Sequence, residues 1–262
     1  MCEAFQATAA RYPQEVALRT PGGAVTITWG AYAGRVRQIA AGLAGLGVRR
    51  GDTVALMMTN RPEFHLVDTA ALHLGAIPFS VYNTFAAEQI AQVLANAGNR
   101  VAICEEQFAT RLLEVTRGTA VEHVVCVDGH PDGTITLDEM VAGGDPGFGF
   151  EASWRAVQPD DVLTLIYTSG TTGPPKGVEI THAQMLAELA ATEALNPGGM
   201  DAGDRLVSYC RWHTSPSAVS ATTGGCSAAR RSRRWPTPRG CPARWPTPGL
   251  PSCSACRGCG RS

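Results

Sequence analysis

VLTLIYTSGTTGPPKGVEITH (residues 162–182) is the stretch on which the reading of this chain turns. It opens on a nearly continuous apolar run, Val162 to Thr168, as a strand buried on both faces would. Five hydroxyl side chains (Tyr167, Thr168, Ser169, Thr171, Thr172) then crowd around Gly170 and Gly173, and Pro174, Pro175 and Lys176 follow. GVEI (177–180) resumes as a strand. His182 to Leu195 reads as a helix with Met185, Leu186 and Leu189 on one side. Glycines let backbone N–H groups point inward, hydroxyls donate to phosphate oxygens or hold Mg²⁺ through water, and a lysine adds a mobile positive charge. The P-loop NTPase pattern is excluded, because Gly177 follows Lys176 where Ser or Thr is needed. Composition alone favours a solvent-exposed turn.

Upstream, short β-like runs alternate with amphipathic helices. VALRT (16–20) and AVTITW (24–29) flank a Pro-Gly-Gly turn and predict a hairpin. Val36, Ile39, Leu43 and Leu46 recur at helical spacing, with Gly47 as a stop. TVALMM (53–58), FSVY (79–82), RVAIC (100–104) and HVVCV (123–127) predict strands. Between them lie three helices: one after Pro62 with a Leu66, Ala70, Leu74 stripe, one with Ile90, Val93 and Leu94 inward and closed by Gly98, and one from Phe108 to Val115. Residues 141–157 read as a connecting loop. This rhythm predicts an α/β fold with a largely parallel sheet covered by helices. His65 and His73 read as ordinary helix residues, not ligands.

Charge divides the chain. All 23 acidic residues lie at or before Asp204, whereas residues 205–262 hold ten arginines and no acid. Lys176 is the only lysine, which singles it out. Six of the nine cysteines also lie beyond residue 209; the three before it suit a reducing, cytoplasmic setting. No signal peptide is evident, and no apolar run approaches the roughly 18 residues of a spanning helix. Peripheral membrane association stays open.

In this order of residues, YTSGTTGPPKGV closely resembles the signature loop of the adenylate-forming enzymes. WGAYAGRVRQIAAGLAGLGVRRGDTVALMMTNRPEFHLVDTAALHLGAIPFSVYNT (29–84) is similar to the N-terminal region of long-chain fatty-acyl-CoA synthetases. Phe85-Ala86-Ala87 departs from that family's pattern, as does Gln184, in a position often held by Asn. The resemblance runs from near residue 2 to Tyr209 and implies a partial AMP-binding N-terminal domain over 1–209. It implies ATP, Mg²⁺ and coenzyme A as cofactor and co-substrates and a fatty acid as substrate. A carboxylate attacks the α-phosphate of ATP, and coenzyme A then displaces AMP. By the same resemblance Thr168, Ser169, Gly170, Thr171, Thr172, Gly173 and Lys176 hold the β- and γ-phosphates. No side chain in this loop need act as nucleophile or base.

Residues 210–262 lose this character. They have no helical or strand period, and RWPTP occurs twice, at 234–238 and 244–248. A zinc site through Cys253, Cys256 and Cys259 with Cys241 lacks the paired CxxC pattern. A nucleic-acid arm lacks lysine and any recognised module, so no nucleic-acid partner is expected. A shifted frame fits better. CRWHTSPS can be written TGC CGA TGG CAC ACA TCG CCG AGC; with a C in front it reads Leu-Pro-Met-Ala-His-Ile-Ala-Glu one base back. SACRGCGRS, written TCG GCG TGC CGC GGG TGT GGG AGA AGC with a T in front, reads Phe-Gly-Val-Pro-Arg-Val-Trp-Glu-Lys in the same shifted frame. Both stretches resemble the same family. The expectation is a one-base frameshift near codon 210 and a non-native, disordered tail. The family's later carboxylate, ribose-binding and C-terminal lysine segments are not found, so no catalytic set is intact. A non-catalytic nucleotide-binding or interaction protein, and one half of a split ligase completed by a second polypeptide, stay open.

Overall fold

The computed structural model describes residues 1–168 and 175–195. Helix α1 (Cys2–Arg11), which the sequence reading did not anticipate, leads into the expected hairpin of β1 (Val16–Arg19) and β2 (Thr26–Thr28), which are antiparallel. Thr28 Oγ1 accepts a hydrogen bond from the Ala31 N–H and so caps α2 (Trp29–Gly45). Then follow β3 (Thr53–Met57), α3 (Pro62–Leu74), β4 (Ile77–Ser80), α4 (Ala87–Ala97), β5 (Val101–Cys104), α5 (Glu106–Thr116) and β6 (His123–Cys126). The remaining elements are β7 (Ile135–Thr136), α6 (Leu137–Ala142), α7 (Phe150–Arg155), β8 (Val162–Thr168), β9 (Lys176–Thr181) and α8 (His182–Leu195).

β3 to β9 form one sheet in the order β7-β6-β5-β3-β4-β8-β9. All neighbours are parallel except β8 and β9, which are antiparallel. Strand alternation divides the core between the two faces. Val54, Leu56, Val101, Ile103 and Val125 pack with Val36, Ile39, Leu43, Val67 and Ala70 from α2 and α3. Ala55, Met57, Ala102, Cys104 and Val124 pack with Ile90, Val93, Leu94 and Leu112 from α4 and α5. The α/β class and the largely parallel sheet are therefore as the sequence predicts. Gly98 closes α4 in the left-handed conformation, at φ 66°.

Four expectations need correction. The strand read at 79–82 lies at Ile77–Ser80. Ile77 and Val81 donate to the Asp52 and Leu56 carbonyls of the β3 side, so the missing N–H of Pro78 falls on the β8 side, where the strands pair only at Phe79–Leu165. Residues 141–157 are not all loop. Helix α7 forms there because Phe150 is buried, stacked on His73 at 5.5 Å between ring centroids, with the Arg37 guanidinium 4.7 Å from its ring. β8 is not buried on both faces along its length: only Leu163 and Tyr167 are buried, and the rest is half-buried or exposed. Leu186 does not join Met185 on the inner side of α8 but is exposed. His65 and His73 are both core residues.

Candidate functional site

The signature loop is the connection of a β-hairpin. β8 is fastened to β4 by Thr164 Oγ1, which donates to the Pro78 carbonyl at 2.7 Å. β9 returns alongside, with Thr168 opposite Lys176 and Tyr167 opposite Gly177. Of the seven phosphate-binding candidates, the structure thus brings Thr168 and Lys176 together at the mouth of the loop, both exposed. Ser169, Gly170, Thr171, Thr172 and Gly173 lie outside the described residues. Among the described residues Lys176 makes no ion pair or side-chain hydrogen bond.

Tyr167 is not part of that exposed set. Its ring is buried against Phe79, 5.6 Å between centroids, and its hydroxyl donates to Asn96 Oδ1 of α4 at 2.8 Å. Burial raises its pKa above the ordinary tyrosine range. Sequence reasoning grouped it with the loop hydroxyls; its position next to an apolar run was the available sign that it faces inward.

Downstream, Gln184 replaces the family's usual Asn without loss of local order. Its N–H donates to Thr181 Oγ1, and its Oε1 accepts from the Thr181 N–H, a reciprocal cap on α8. His182, just inside, is buried, and burial pushes its pKa down to about 4. It is a neutral structural group at pH 7. Its N–H donates to the Asp161 carbonyl. Burial alone would raise the Asp161 carboxyl. The Gln158 N–H and the Arg50 guanidinium, 2.6 Å away, outweigh this and hold it below the usual range. This contact ties the start of β8 to the turn before β3.

A second charged group lies past the C-terminal ends of β3, β5 and β6, where doubly wound sheets commonly place ligands. Its members are already paired with one another. Arg61 contacts Glu63 at 2.8 Å, Asp128 at 2.5 Å and Glu105 at 3.5 Å. Glu105 also accepts from the Thr59 N–H and from Gln107. Among the described residues no cluster of His, Cys, Asp and Glu could hold a metal ion. No helix there is long and apolar enough to cross a membrane.

Comparison with known proteins agrees with this geometry. The chain is 60% identical over 131 residues to an uncharacterized protein of Mycobacterium tuberculosis, covering 50% of this chain and 74% of that one. It is 34% identical over 186 residues to a long-chain-fatty-acid–CoA ligase of the same organism, covering 70% of this chain and 31% of the ligase. It therefore spans about a third of that ligase's length. An acetoacetyl-CoA synthetase from Streptomyces lividans shares the fold, with a TM-score of 0.73 at 23% identity over 86% of this chain and 37% of the synthetase. The profile of the AMP-binding enzyme family matches residues 5–219, and with the signature hairpin in place, this chain belongs to that family, as an N-terminal part of its fold.

Proposed function

We propose that this chain is a fragment of an ATP-dependent fatty acid–CoA ligase that keeps the triphosphate-holding loop and does not complete thioester formation by itself. The observation that carries this reading is the hairpin mouth, where Thr168 and the chain's only lysine, Lys176, stand opposite each other beside the signature residues. In this reading Thr168, Ser169, Gly170, Thr171, Thr172 and Gly173 offer hydroxyl and backbone donors to the β- and γ-phosphates. Lys176 offsets their charge. Mg²⁺ would arrive on the nucleotide and neutralise phosphate charge there. The exposed Thr168 hydroxyl fits the role of a phosphate or water-mediated contact, and the described residues near the loop supply no carboxylate cluster that would hold the metal alone. The part of this chain in the reaction is to bind and orient the pyrophosphate leaving group.

Calorimetric titration with MgATP tests the loop. The wild-type chain is expected to bind, and Lys176→Ala to weaken binding by about ten- to a hundredfold, the usual weight of a charged hydrogen bond. Equal binding by both would refute the assignment. A parallel assay with ATP, fatty acid and coenzyme A is expected to give no acyl-CoA; clear product would refute the fragment reading.

The domain limit at residue 209 and the shifted frame of 210–262 belong to the same proposal. The family match continues to residue 219, ten residues past that limit. DNA sequencing is the test: the frame offset by one base must stay open past codon 262 and encode the two family-like stretches. A second reading, completion by another polypeptide, is favoured by the exposed apolar side chains of Val178, Leu186 and Leu195 on β9 and α8. It requires an open downstream frame whose product co-purifies with this chain and restores acyl-CoA formation.

A further inference from the structure

We propose that Asn96 is a positioning residue of the phosphate loop, acting through the ring of Tyr167 and the bare backbone of Gly177. This rests on the phosphate-loop reading above. Tyr167 and Gly177 are opposite each other one residue outside the Thr168–Lys176 pair. A Cβ on Gly177 would lie 3.1 Å from Cζ and 3.4 Å from Oη of Tyr167, so the ring occupies the space a side chain at 177 would need. Gly177 is not among the glycines with positive φ; its role is room, because a Cβ there would force the Tyr167 ring to give by a few tenths of an ångström. An aromatic ring over a cross-strand glycine fixes the register of the two strands.

The far end of the ring is held from outside the hairpin. Tyr167 donates to Asn96 Oδ1, at 2.8 Å, in the last turn of α4. α4 is itself anchored in the core by Ile90, Val93 and Leu94. One rigid path thus runs from helix to ring to the two strand ends. Side chains alternate along a strand, so a fixed Tyr167 sends Thr168 and Lys176 to the opposite face. A hydrogen bond on the loop's flank therefore sets the direction in which both phosphate-binding groups are presented.

The test combines three single variants and one double variant with a wild-type titration. Asn96→Ala is expected to weaken MgATP binding about two- to tenfold, the weight of one hydrogen bond. Asn96→Asp, which keeps the acceptor, is expected to bind like the wild type. Tyr167→Phe is expected to match Asn96→Ala, and the Asn96→Ala/Tyr167→Phe double variant to lose no more than either, since both remove one interaction. Wild-type affinity in Asn96→Ala, no rescue in Asn96→Asp, or multiplied losses in the double variant would overturn the proposal. If the wild-type chain binds no MgATP, the phosphate-loop reading fails separately. Hydrogen exchange then decides the positioning claim. Asn96→Ala must speed exchange about fivefold or more at amides 166–168 and 176–178 and leave those of β3 and β5 unchanged. Unchanged or uniformly faster exchange would overturn it.

Discussion

Acidification from pH 7 to pH 4 removes much of the folding stability of this chain. Burial pushes the imidazoles of His65, His73 and His182 down to about 4. In the folded chain His73 Nδ1–H donates to the Thr69 carbonyl at 2.7 Å, which offsets part of the effect of burial, and Nε2 accepts from Gln6 at 3.0 Å. In the unfolded chain each imidazole takes up its proton near pH 6.5. Between about pH 6.5 and about pH 4 the unfolded state binds more protons at these sites, so stability falls as pH falls. Each site contributes on the order of 3 kcal/mol across that window. Asp68 acts in the opposite sense. Burial pushes its carboxyl up to about 7, and among the described residues it has no hydrogen bond or ion pair. The folded chain keeps that proton where the unfolded chain loses it, so acidification from pH 7 gives back on the order of 4 kcal/mol. The histidines prevail, and a net loss of roughly 5 kcal/mol is comparable with the whole stability of a small domain. Urea midpoints at pH 7.5 and 4.5 measure it. His73→Gln should narrow the gap between them, whatever it does to absolute stability. Asp68→Asn should raise the midpoint at pH 8 and have little effect at pH 4. A gap untouched by His73→Gln would contradict the assignment.

Replacing Gly42 or Gly45 with alanine destabilises the protein, against the ordinary rule for helices. Both lie in α2, where glycine to alanine usually gains about 1 kcal/mol. Here α2 and α6 touch backbone to backbone. A Cβ on Gly42 would lie 2.8 Å from the Met140 carbonyl oxygen, and one on Gly45 would fall on that of Gly143. Neither is a flexible side-chain end that could step aside. The extra methyl must push α6 away from α2, and with it the buried Leu137 and Met140. Overpacking of this kind costs about 1–3 kcal/mol, and the lost contacts add to it. Gly34, on the same helix, is the internal control, because a methyl group there would meet nothing within 4 Å. Gly34→Ala should be neutral or stabilising. Denaturant midpoints that rise for all three variants would show that the close approach is not a constraint.

The difference between Gly34 and Gly42 shows how far a sequence reading reaches. Spacing alone placed α2, because Val36, Ile39 and Leu43 must share one face of a helix to leave water, and all three are fully buried. The strand at 101–104 and the helix over 87–97 followed from the same local logic. What lies across from a residue has no local signal. Three glycines of one helix look alike in sequence, yet only the packing of α6 makes two of them obligatory. α7 was missed for the same reason: its glycine-rich surroundings read as loop, and the stack of Phe150 on His73 joins residues 77 positions apart.

The signature hairpin divides in the same way. The order of residues from Tyr167 to Val178 pointed, by resemblance, to the family and to the candidate phosphate ligands, and the alternation of strands and helices upstream of it pointed to the α/β class. Only the tertiary structure decided that Tyr167 faces the core, that Gly177 yields its space to the Tyr167 ring, and that Asn96, 71 residues upstream of Tyr167, holds that ring. Such contacts depend on which elements the sheet order makes neighbours, and long-range packing of that kind leaves no periodicity in the chain for a reader to find.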